Sequence, residues 1–264
     1  MELICPLCAT ILNKEEKCYR CQNRHSFDIA RQGYVNLLPV QNKRSLNPGD
    51  TYEQVLARRR FLESGFYAPI SDALNKLSEG CSGPILDAGC GEGYYSSRLA
   101  AYMDAPLVGV DISKEAVRCA AASYKNAQWL CASAARLPVA DHSVGLITSL
   151  FAMTDAAEFH RVLVPGGHFI RVLAAPDHLP ALKSVIYEQV IHKEKEGMTA
   201  LPGFTLEQVV PVQFSFTVEG HQVQDLLSMT PHVYRISKAG ADRLRQTEKL
   251  TDTASCILGL YKAE

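Results

Sequence analysis

The sequence lacks the long apolar runs and the leader segment that would mark a membrane or exported protein. Its longest apolar stretch, residues 144–153, is far shorter than the roughly 18 residues that a membrane-spanning helix needs. Its first five residues do not form a basic segment followed by an apolar core, as a secretory signal would. Because free cysteines without such a signal are typical of a reducing compartment, we expect a cytoplasmic protein that has no membrane partner.

The sequence also has no excess of charge of one sign. Its 264 residues include 27 Lys and Arg against 28 Asp and Glu, which gives a formal net charge of −1. This balance excludes a uniformly basic nucleic-acid-binding protein, although it allows a local basic patch. The charge is unevenly spread, since residues 1–60 carry 10 basic and 6 acidic side chains and the remainder carries 17 and 22. We therefore expect an anionic partner for the N-terminal part.

Cysteine, by contrast, is abundant, and four of the nine cysteines lie within the first 21 residues. Cys5 and Cys8 form one C-x-x-C pair, Cys18 and Cys21 form a second, and His25 follows. Zinc takes four nitrogen or sulfur ligands in a tetrahedral site, and two close pairs can supply that geometry. A segment with so small a core needs such a metal site to be stable. Cys5, Cys8 and Cys21 fit every arrangement of the four zinc ligands. The fourth ligand is either Cys18, which spacing alone favours, or His25.

Composition divides the chain into three parts. Residues 1–35 are expected to form the zinc-binding module, residues 36–51 a linker with turn-forming residues, and residues 52–264 a larger domain. In the larger domain, short apolar runs alternate with helical patterns. That alternation is typical of a doubly wound parallel sheet with an α/β fold.

The elements of this sheet can be predicted individually. The strands are expected at residues 84–87, 107–111, 128–132, 144–150 and 168–173, and helices between them should begin near Tyr94, Lys114, Ala134 and Asp155. A long helix over residues 179–196 is predicted next. An antiparallel pair of strands over residues 209–218 and 255–261 should follow it. Pro211 favours an edge position for the first of this pair, since proline has no N–H to donate.

A glycine-rich loop follows the first predicted strand of the sheet. Gly89 and Gly91 allow a tight turn and a close approach of a ligand to the backbone. Asp111 ends the next predicted strand, where a carboxylate can accept hydrogen bonds from ribose hydroxyls. Nicotinamide dinucleotides and S-adenosylmethionine both fit such a site. Two features favour S-adenosylmethionine: Asp87 lies where it can help to place a cationic aminoacyl ligand, and the third glycine comes one residue earlier than in the G-x-G-x-x-G pattern.

The larger domain resembles class I methyltransferases. Residues 161–167, with a Leu-x-Pro-Gly-Gly turn before the fifth predicted strand, match a mark of that class, as does the Arg-Leu-Pro segment at residues 136–138. The resemblance implies a Rossmann-like α/β fold with a seven-stranded, mostly parallel sheet. It also implies S-adenosylmethionine as the methyl donor.

A second resemblance extends over nearly the whole chain, and it rests on residues 5–8, 21, 25–28, 33–39, 49–50, 57–62, 89–95 and 229–231. In these segments the chain resembles the bacterial 23S ribosomal RNA guanine-N1 methyltransferases. The Gly-Tyr-Val-Asn-Leu-Leu-Pro segment at residues 33–39, which joins a zinc module to a methyltransferase domain, is quite specific.

This second resemblance implies a metal site and a cofactor site. The structural Zn²⁺ ligands that it implies are Cys5, Cys8, Cys21 and His25, with Cys18 as a bystander or a substitute. The cofactor contacts that it implies are Tyr67, Tyr95, Ser96 and His178, which join Asp87, Gly89, Gly91 and Asp111 from the loop. It further implies that a homodimer methylates guanine N1 in a hairpin of 23S ribosomal RNA.

The chemistry of the target raises the question of a base. Guanine N1 must lose a proton as it accepts a methyl group, and a base on the substrate side could assist. Asp155 and His160 are the nearest candidates in the sequence, but an acid such as Asp155 is also typical of a helix start, and no catalytic residue is assigned. Phe151 is compatible with stacking on an extruded base and with core packing. The arginines of residues 58–60 and the Lys-Arg pair of residues 43–44 fit phosphate contacts or a solvated helix face.

Other functions are compatible with the sequence. One is a methyltransferase that acts on another RNA or on a small metabolite, although a zinc knuckle is not expected in a metabolite enzyme. Another is a zinc-dependent RNA-binding factor that is not an enzyme and has a vestigial cofactor domain. Saturable binding of S-adenosylmethionine would count strongly against that factor.

Overall fold

The computed structural model describes residues 1–39, 48–189 and 197–264. A small antiparallel sheet lies near the N-terminus and a large mixed sheet of eight strands follows. The small sheet consists of β1 (Leu12–Lys14), β2 (Cys18–Cys21) and β3 (Ser26–Asp28). Residues 43–44, whose basic side chains fit phosphate contacts, lie outside the described residues, as does the predicted end of the helix over residues 179–196.

The large sheet places its parallel strands together. Its strands are β4 (Val35–Asn36), β5 (Ile85–Ala88), β6 (Leu107–Asp111), β7 (Gln128–Cys131), β8 (Val144–Leu150), β9 (Leu163–Ala174), β10 (Phe204–Glu219) and β11 (Lys249–Ala263). Their spatial order is β10-β11-β9-β8-β5-β6-β7-β4. Strands β4 to β9 pair in parallel, whereas β11 is antiparallel to both β9 and β10. The chain order reverses between β5 and β8, and ligands of such sheets bind at the carboxyl ends of the strands beside that point.

Polar side chains fix the starts of several helices. The helices are α1 (Tyr52–Glu63), α2 (Ala68–Leu77), α3 (Tyr94–Met103), α4 (Lys114–Ser123), α5 (Ala156–Val162), α6 (Pro180–Ile186), α7 (His221–Ser228) and α8 (Lys238–Arg245). Thr51 and Gln54 form a capping box at the start of α1. Ser113 and Asp155 cap α4 and α5 by accepting hydrogen bonds from backbone N–H groups. Across the described ranges, no helix combines the length and the apolar character needed to cross a membrane.

The predicted alternation of strands and helices is confirmed. Each of the five predicted parallel strands overlaps one of β5 to β9, and helices begin at Tyr94, at Lys114 and directly after Asp155. The predicted antiparallel pair is present as β10 and β11. Pro211 lies in β10, which occupies one edge of the described sheet, as predicted.

The helix predicted near Ala134 is wrong. Residues 133–136 instead form a turn that is closed by a bridge between Ser133 and Arg136. Leu137, which follows, is 1% exposed and precedes a proline, and the residue before a proline is disfavoured in helical conformation.

Two other elements differ from the prediction in length or number. The helix expected from residue 179 begins at Pro180, and α6 ends at Ile186. The sheet has one strand more than the predicted seven, because Val35 and Asn36 pair in parallel with β7. This short strand attaches the segment after the zinc-binding module to the edge of the large sheet.

The small sheet packs directly on the larger domain. Leu3 forms an antiparallel bridge with Val139, and the Ile4 N–H donates to the Pro138 carbonyl oxygen at 3.0 Å. Leu3 is 6% exposed and shares one apolar cluster with Tyr19 of the small sheet and Val139 of the larger domain. Because this cluster spans both parts, we expect them to unfold together.

We predict that Leu3→Ala destabilises the whole chain. Truncation of a buried leucine costs about 2–5 kcal/mol. Trp129, the single tryptophan, lies in β7 of the large sheet and reports on the larger domain. Urea unfolding followed by tryptophan fluorescence should therefore show a lower midpoint. Leu7→Ala, at a position that is 46% exposed, is the control and should leave the midpoint in place. An unchanged midpoint for Leu3→Ala would show that the two parts unfold independently.

Candidate metal cluster and cofactor pocket

Three thiols and one imidazole meet beside the small sheet. The ligand atoms of Cys5, Cys8, Cys21 and His25 all lie within 4.8 Å of one another. The Cys8 and Cys21 sulfurs are 3.7 Å apart, and His25 Nδ1 lies 3.5 Å from Cys5 Sγ and 3.4 Å from Cys21 Sγ. Tetrahedral zinc, with Zn–S bonds of about 2.3 Å and Zn–N bonds of about 2.0 Å, places its ligand atoms about 3.5–3.8 Å apart. The four side chains therefore fit a zinc ion.

Two tight turns bring these side chains together. The Ala9 N–H donates to the Cys5 carbonyl oxygen at 2.8 Å, and the Arg24 N–H donates to the Cys21 carbonyl oxygen at 2.9 Å. Ala9 and Arg24 have positive φ angles of 58° and 64°. Since this conformation costs a non-glycine residue about 1–2 kcal/mol, each turn needs a compensating interaction, and metal ligation can supply it.

Thr10 supports the cluster from outside. Its hydroxyl oxygen lies 3.2 Å from Cys8 Sγ. Hydrogen bonds from the side chain and the backbone of Thr10 lower the pKa of the Cys8 thiol to about 5. The thiolate is the form that binds zinc, and hydrogen bonds to ligating atoms orient them.

Cys18 lies apart from this cluster. Its Sγ donates to Glu15 Oε2 at 3.3 Å, and Cys18 is not among the residues whose ligand atoms converge. The structure thus brings together the set that includes His25, rather than the all-cysteine set that spacing alone favours.

The glycine-rich loop lies between β5 and α3 at the carboxyl edge of the large sheet. Gly89 has a φ of +91°, and a Cβ there would lie 2.4 Å from the Cβ of Ala152, which follows β8. Gly93 also has a φ of +91°, and a Cβ there would lie 2.7 Å from the Trp129 ring. Glycine alone satisfies both the backbone conformation and the space. The early third glycine is therefore explained by the packing of Trp129.

Asp111 lies against this loop. One of its carboxylate oxygens accepts a hydrogen bond from the Gly91 N–H at 2.9 Å, and the other accepts one from the Ser113 N–H at 2.8 Å. Each oxygen keeps a further lone pair for a ligand hydroxyl. The arrangement holds the carboxylate rigid and leaves it able to accept.

Asp87 and Ser96, both predicted cofactor contacts, touch each other. Asp87 is 2% exposed and accepts hydrogen bonds from the hydroxyls of Ser96 and of Thr148, the latter at 3.0 Å. Burial raises the pKa of Asp87 to about 6, although these two hydrogen bonds oppose the shift. Because a cation would stabilise the buried carboxylate, the site fits the positively charged aminoacyl end of S-adenosylmethionine.

The remaining predicted cofactor contacts form an aromatic group. Tyr67 precedes α2, is 2% exposed and places its hydroxyl 3.4 Å from His178 Nε2. His178 Nδ1 lies 2.9 Å from the carbonyl oxygen of Ser255 in β11. Burial, with a smaller contribution from nearby Tyr67, raises the pKa of Tyr95, whose buried hydroxyl has no hydrogen-bond partner. Such an orphaned hydroxyl fits a polar group of a bound ligand.

A partly buried ion pair at the loop was not foreseen from the sequence. The Arg58 guanidinium pairs with Asp50, donates to the Met229 carbonyl oxygen at 3.4 Å and would lie 3.8 Å from a Cβ at Gly91. Glu92 is 3% exposed, and its Oε1 has no hydrogen-bond partner. Burial raises the pKa of Glu92 to about 7, and Arg58 opposes that shift. The guanidinium thus offsets part of the negative charge of the loop.

The other two arginines of residues 58–60 are also engaged within the chain. Arg59 donates to Glu63 at 2.8 Å and to the Ser123 hydroxyl at 2.5 Å. Arg60 donates to both carboxylate oxygens of Asp225, at 2.9 and 2.5 Å. Arg59 and Arg60 thus have partners within the chain, and phosphate contacts by the arginine run stay a prediction.

The two candidate bases have structural roles. Asp155 accepts a hydrogen bond from the Glu158 N–H at 3.1 Å and so caps α5. His160 Nε2 lies 3.3 Å from the backbone oxygen of Glu264, and its ring packs edge-on against Phe204. Both residues thus have partners within the chain, and no catalytic base is assigned.

Comparison with known proteins matches both parts of the chain to described families. Residues 3–46 match the zinc-ribbon family described as "RlmA, N-terminal", and residues 85–167 match the family described as "Methyltransferase domain". A putative type II methyltransferase from Anaeromyxobacter dehalogenans, of known structure, superposes with a TM-score of 0.50 at 21% identity, over 73% of this chain and 95% of that one. That likeness concerns the fold.

Two relatives are similar over most of the chain. A 23S rRNA (guanine(748)-N(1))-methyltransferase of Streptomyces fradiae is 36% identical over 216 residues, which cover 79% of this chain and 74% of that protein. A putative 23S rRNA (guanine-N(1)-)-methyltransferase of Bacillus subtilis (strain 168) is 30% identical over 274 residues, which cover 97% of this chain and 96% of that protein.

We predict one zinc ion per chain, held by the cluster that includes His25. Cys21→Ser should lose the metal, because it removes a sulfur that lies within 3.7 Å of Cys8 Sγ. Cys18→Ser is the matched control and should retain the metal, because its thiol is bonded to Glu15 instead. Atomic absorption on the purified variants measures the zinc content per chain. Loss of zinc from Cys18→Ser would favour the all-cysteine site.

We predict that Glu92→Gln weakens the dependence of stability on pH. Burial raises the pKa of Glu92 from 4.5 to about 7, so the folded chain keeps a proton that the unfolded chain releases between these values. The stabilising contribution of Glu92 is therefore present at low pH and is lost as pH rises through about 7. Thermal unfolding of the ligand-free protein at about pH 5 and about pH 8 should show a smaller fall in Tm for Glu92→Gln than for wild type. Glu53→Gln, at an exposed position, should keep the wild-type fall. An equal fall in Tm between these two pH values in all three proteins would contradict the prediction.

Proposed function

Because this chain belongs to the family of bacterial 23S rRNA (guanine-N1-)-methyltransferases, we propose that it transfers a methyl group from S-adenosylmethionine to N1 of a guanine in a hairpin of 23S ribosomal RNA. The likeness to the Bacillus protein extends over 97% of the chain and includes the zinc-binding module. That full-length likeness carries the proposal, since methyltransferases of small metabolites share the sheet but are not expected to have a zinc knuckle.

The fold and the cofactors predicted from the sequence are confirmed. The chain is a class I methyltransferase, with a mixed, mostly parallel sheet and an N-terminal zinc ribbon. Its cofactors are S-adenosylmethionine, which is the methyl donor, and a structural zinc ion.

Within this proposal, Cys5, Cys8, Cys21 and His25 hold the zinc ion. Their mutual distances fit a tetrahedron, and the Thr10 hydroxyl orients the Cys8 thiolate. The metal would then fix the two strained turns of the N-terminal segment. Because the apolar cluster of that segment continues into the larger domain, the zinc ion also stabilises the surface on which the module sits.

The cofactor contacts follow from the chemistry of the pocket. The bound cofactor supplies a methyl group that its positively charged sulfur has already activated. Asp111 is placed to accept hydrogen bonds from ribose hydroxyls, and Gly89 and Gly91 let the ligand approach the backbone. Asp87, with Ser96 on its carboxylate, faces the aminoacyl end. The aromatic group of Tyr67, Tyr95 and His178 completes the pocket, with the Tyr95 hydroxyl available to a polar group.

The contribution of the chain to the reaction is mainly one of positioning. The two candidate bases named by the sequence are used in a helix cap and in a backbone contact. With the methyl group already activated, holding guanine N1 in line with it accounts for much of the acceleration. N1 must also lose its proton, and no residue of the chain is assigned to receive it.

The recognition of RNA by a homodimer belongs to the same proposal. In this proposal the zinc-binding module recognises the shape of a hairpin, because RNA helices are recognised largely through shape and backbone. A second copy would widen the surface that one hairpin can contact. The cytoplasmic location and the domain bounds at residues 35 and 51 stay predictions.

We predict that cells without this protein lack one stop in primer extension along 23S ribosomal RNA. Methylation of N1 blocks the Watson–Crick edge of guanine, so reverse transcriptase halts there only when the enzyme is present. The wild-type gene should restore the stop. Asp111→Ala should not restore it, because losing a hydrogen-bonded carboxylate weakens binding of the cofactor by about tenfold or more.

The outcomes separate the candidate functions. Identical stops in both kinds of cell would exclude the guanine-N1 target in this RNA. Saturable binding of S-adenosylmethionine by the purified protein, measured by calorimetry, would then leave a methyltransferase of another substrate. Absence of that binding would favour a zinc-dependent RNA-binding factor.

A further inference from the structure

The chain leaves β8 with an aromatic side chain turned toward solvent. All seven residues of β8 are buried, yet Phe151, the next residue, is 43% exposed and has a φ of 54°. A left-handed backbone is unfavourable for a residue with a side chain, and exposure of a large apolar ring forgoes the gain of burial. Two unfavourable features at one residue, at the carboxyl edge of the sheet, point to a ligand.

The Phe151 ring is attached to a rigid frame. Its N–H donates to the Val172 carbonyl oxygen of β9 at 2.9 Å, which extends the pairing of β8 with β9 by one residue. Ala152 fills the space left by the missing side chain of Gly89. The Ser149 hydroxyl lies 3.5 Å from the carbonyl oxygen of Met153. Phe151 is therefore fixed directly beside the cofactor loop.

His178 is the neighbour that places the Phe151 ring next to the proposed cofactor contacts. The ring centroids of Phe151 and His178 are 6.2 Å apart, with an angle of 36° between the ring planes. His178 also contacts Tyr67, and both belong to the proposed cofactor contacts. Phe151 thus borders the proposed cofactor contacts and is at the same time exposed to solvent.

In the part of the chain that the structure describes, the Phe151 ring belongs to none of the three apolar clusters. Phe159 and Phe169, on neighbouring elements, are completely buried and pack against each other with ring centroids 5.1 Å apart. Met153, two residues after Phe151, is 63% exposed and adds apolar surface. A planar, partly apolar ligand is the chemistry that such a surface fits.

We propose that Phe151 is the surface on which the target base stacks after it leaves the RNA helix, and this inference rests on the proposed function. Enzymes that modify a base extrude it and hold it against aromatic or apolar side chains. A phenyl ring fixed beside the cofactor loop sets the plane of the purine. The electron pair that N1 keeps when it loses its proton lies in that plane, so the ring also sets the direction in which N1 meets the methyl group.

The test compares Phe151→Ala and Phe151→Trp with the wild-type protein. Methyl transfer from radiolabelled S-adenosylmethionine to transcribed 23S ribosomal RNA gives kcat and KM, and calorimetry gives the Kd for S-adenosylmethionine. Phe151→Ala should keep that Kd within about twofold and lower kcat/KM for RNA by roughly 5- to 100-fold, the range for loss of one base–aromatic stack. Phe151→Trp should keep most of the activity, because it retains an aromatic face.

Two further variants separate stacking from a structural role. Tyr102→Ala removes a ring that is 50% exposed at the far end of α3, and it should match wild type in kcat/KM. Phe151→Asn places a residue that tolerates the left-handed backbone, so its Tm should equal or exceed that of wild type. Its activity should nevertheless fall as in Phe151→Ala. A lower Tm together with full activity would assign Phe151 a structural role.

The remaining outcomes distinguish the inference from the proposed function. If the wild-type protein methylates the RNA and Phe151→Ala does so with the same kcat/KM, the stacking role is overturned and the proposed function stands. If the wild-type protein binds S-adenosylmethionine but methylates no guanine of this RNA, the proposed function fails and the stacking role fails with it.

Discussion

The carboxylates that are buried at the loop after β5 impose the main physical constraint on this chain. Asp87 and Glu92 are almost inaccessible to solvent, and Asp111 is bonded to the backbone of the loop. Water cannot solvate such carboxylates, so the protein must supply hydrogen bonds or cations. It supplies hydroxyls, backbone N–H groups and the guanidinium of Arg58. The negative charge that is left favours a positively charged cofactor, and this preference follows from burial itself.

The same constraint explains how separate parts of the chain meet at one edge of the sheet. Arg58 joins α1 to the loop, and its partner Asp50 is held by the Ser113 hydroxyl, which donates to the Asp50 carbonyl oxygen at 2.8 Å. Ser113 caps α4 directly after Asp111. On the neighbouring side of the sheet, β4 attaches the metal-binding segment to β7, where the Leu37 N–H donates to the Cys131 carbonyl oxygen at 2.9 Å. The segments before and after residues 40–47 therefore both dock beside the cofactor pocket.

The sequence predicts the features that are encoded locally. Apolar runs located β5 to β9, and the spacing of the cysteines located the metal cluster. Spacing alone favoured Cys18 as the fourth ligand, and only the resemblance to a family favoured His25, the residue that the structure brings into the cluster. A strand of only two residues, such as β4, is too short to show the alternation of apolar and polar residues by which strands are predicted. Arg58 and Gly91 are far apart in the sequence and come close only because α1 packs beside the loop, so no local pattern marks their proximity. The ring of Phe151 illustrates the same limit, since strand length predicts where β8 ends but not which way the next side chain turns.

The packing of Trp129 restricts the routes by which this sequence can diverge. A Cβ at Gly93 would lie 2.7 Å from the indole ring, and a Cβ at Gly109 would lie 2.6 Å from it. A side chain at position 93 or 109 is therefore compatible only with a smaller residue at position 129. Replacing Trp129 by a smaller residue first leaves a cavity, which lowers the free energy of unfolding by about 3–5 kcal/mol when the whole ring is lost. Either order of substitution passes through a destabilised protein. The three positions should consequently be inherited together, and in divergent lineages a change at one should be accompanied by a change at another.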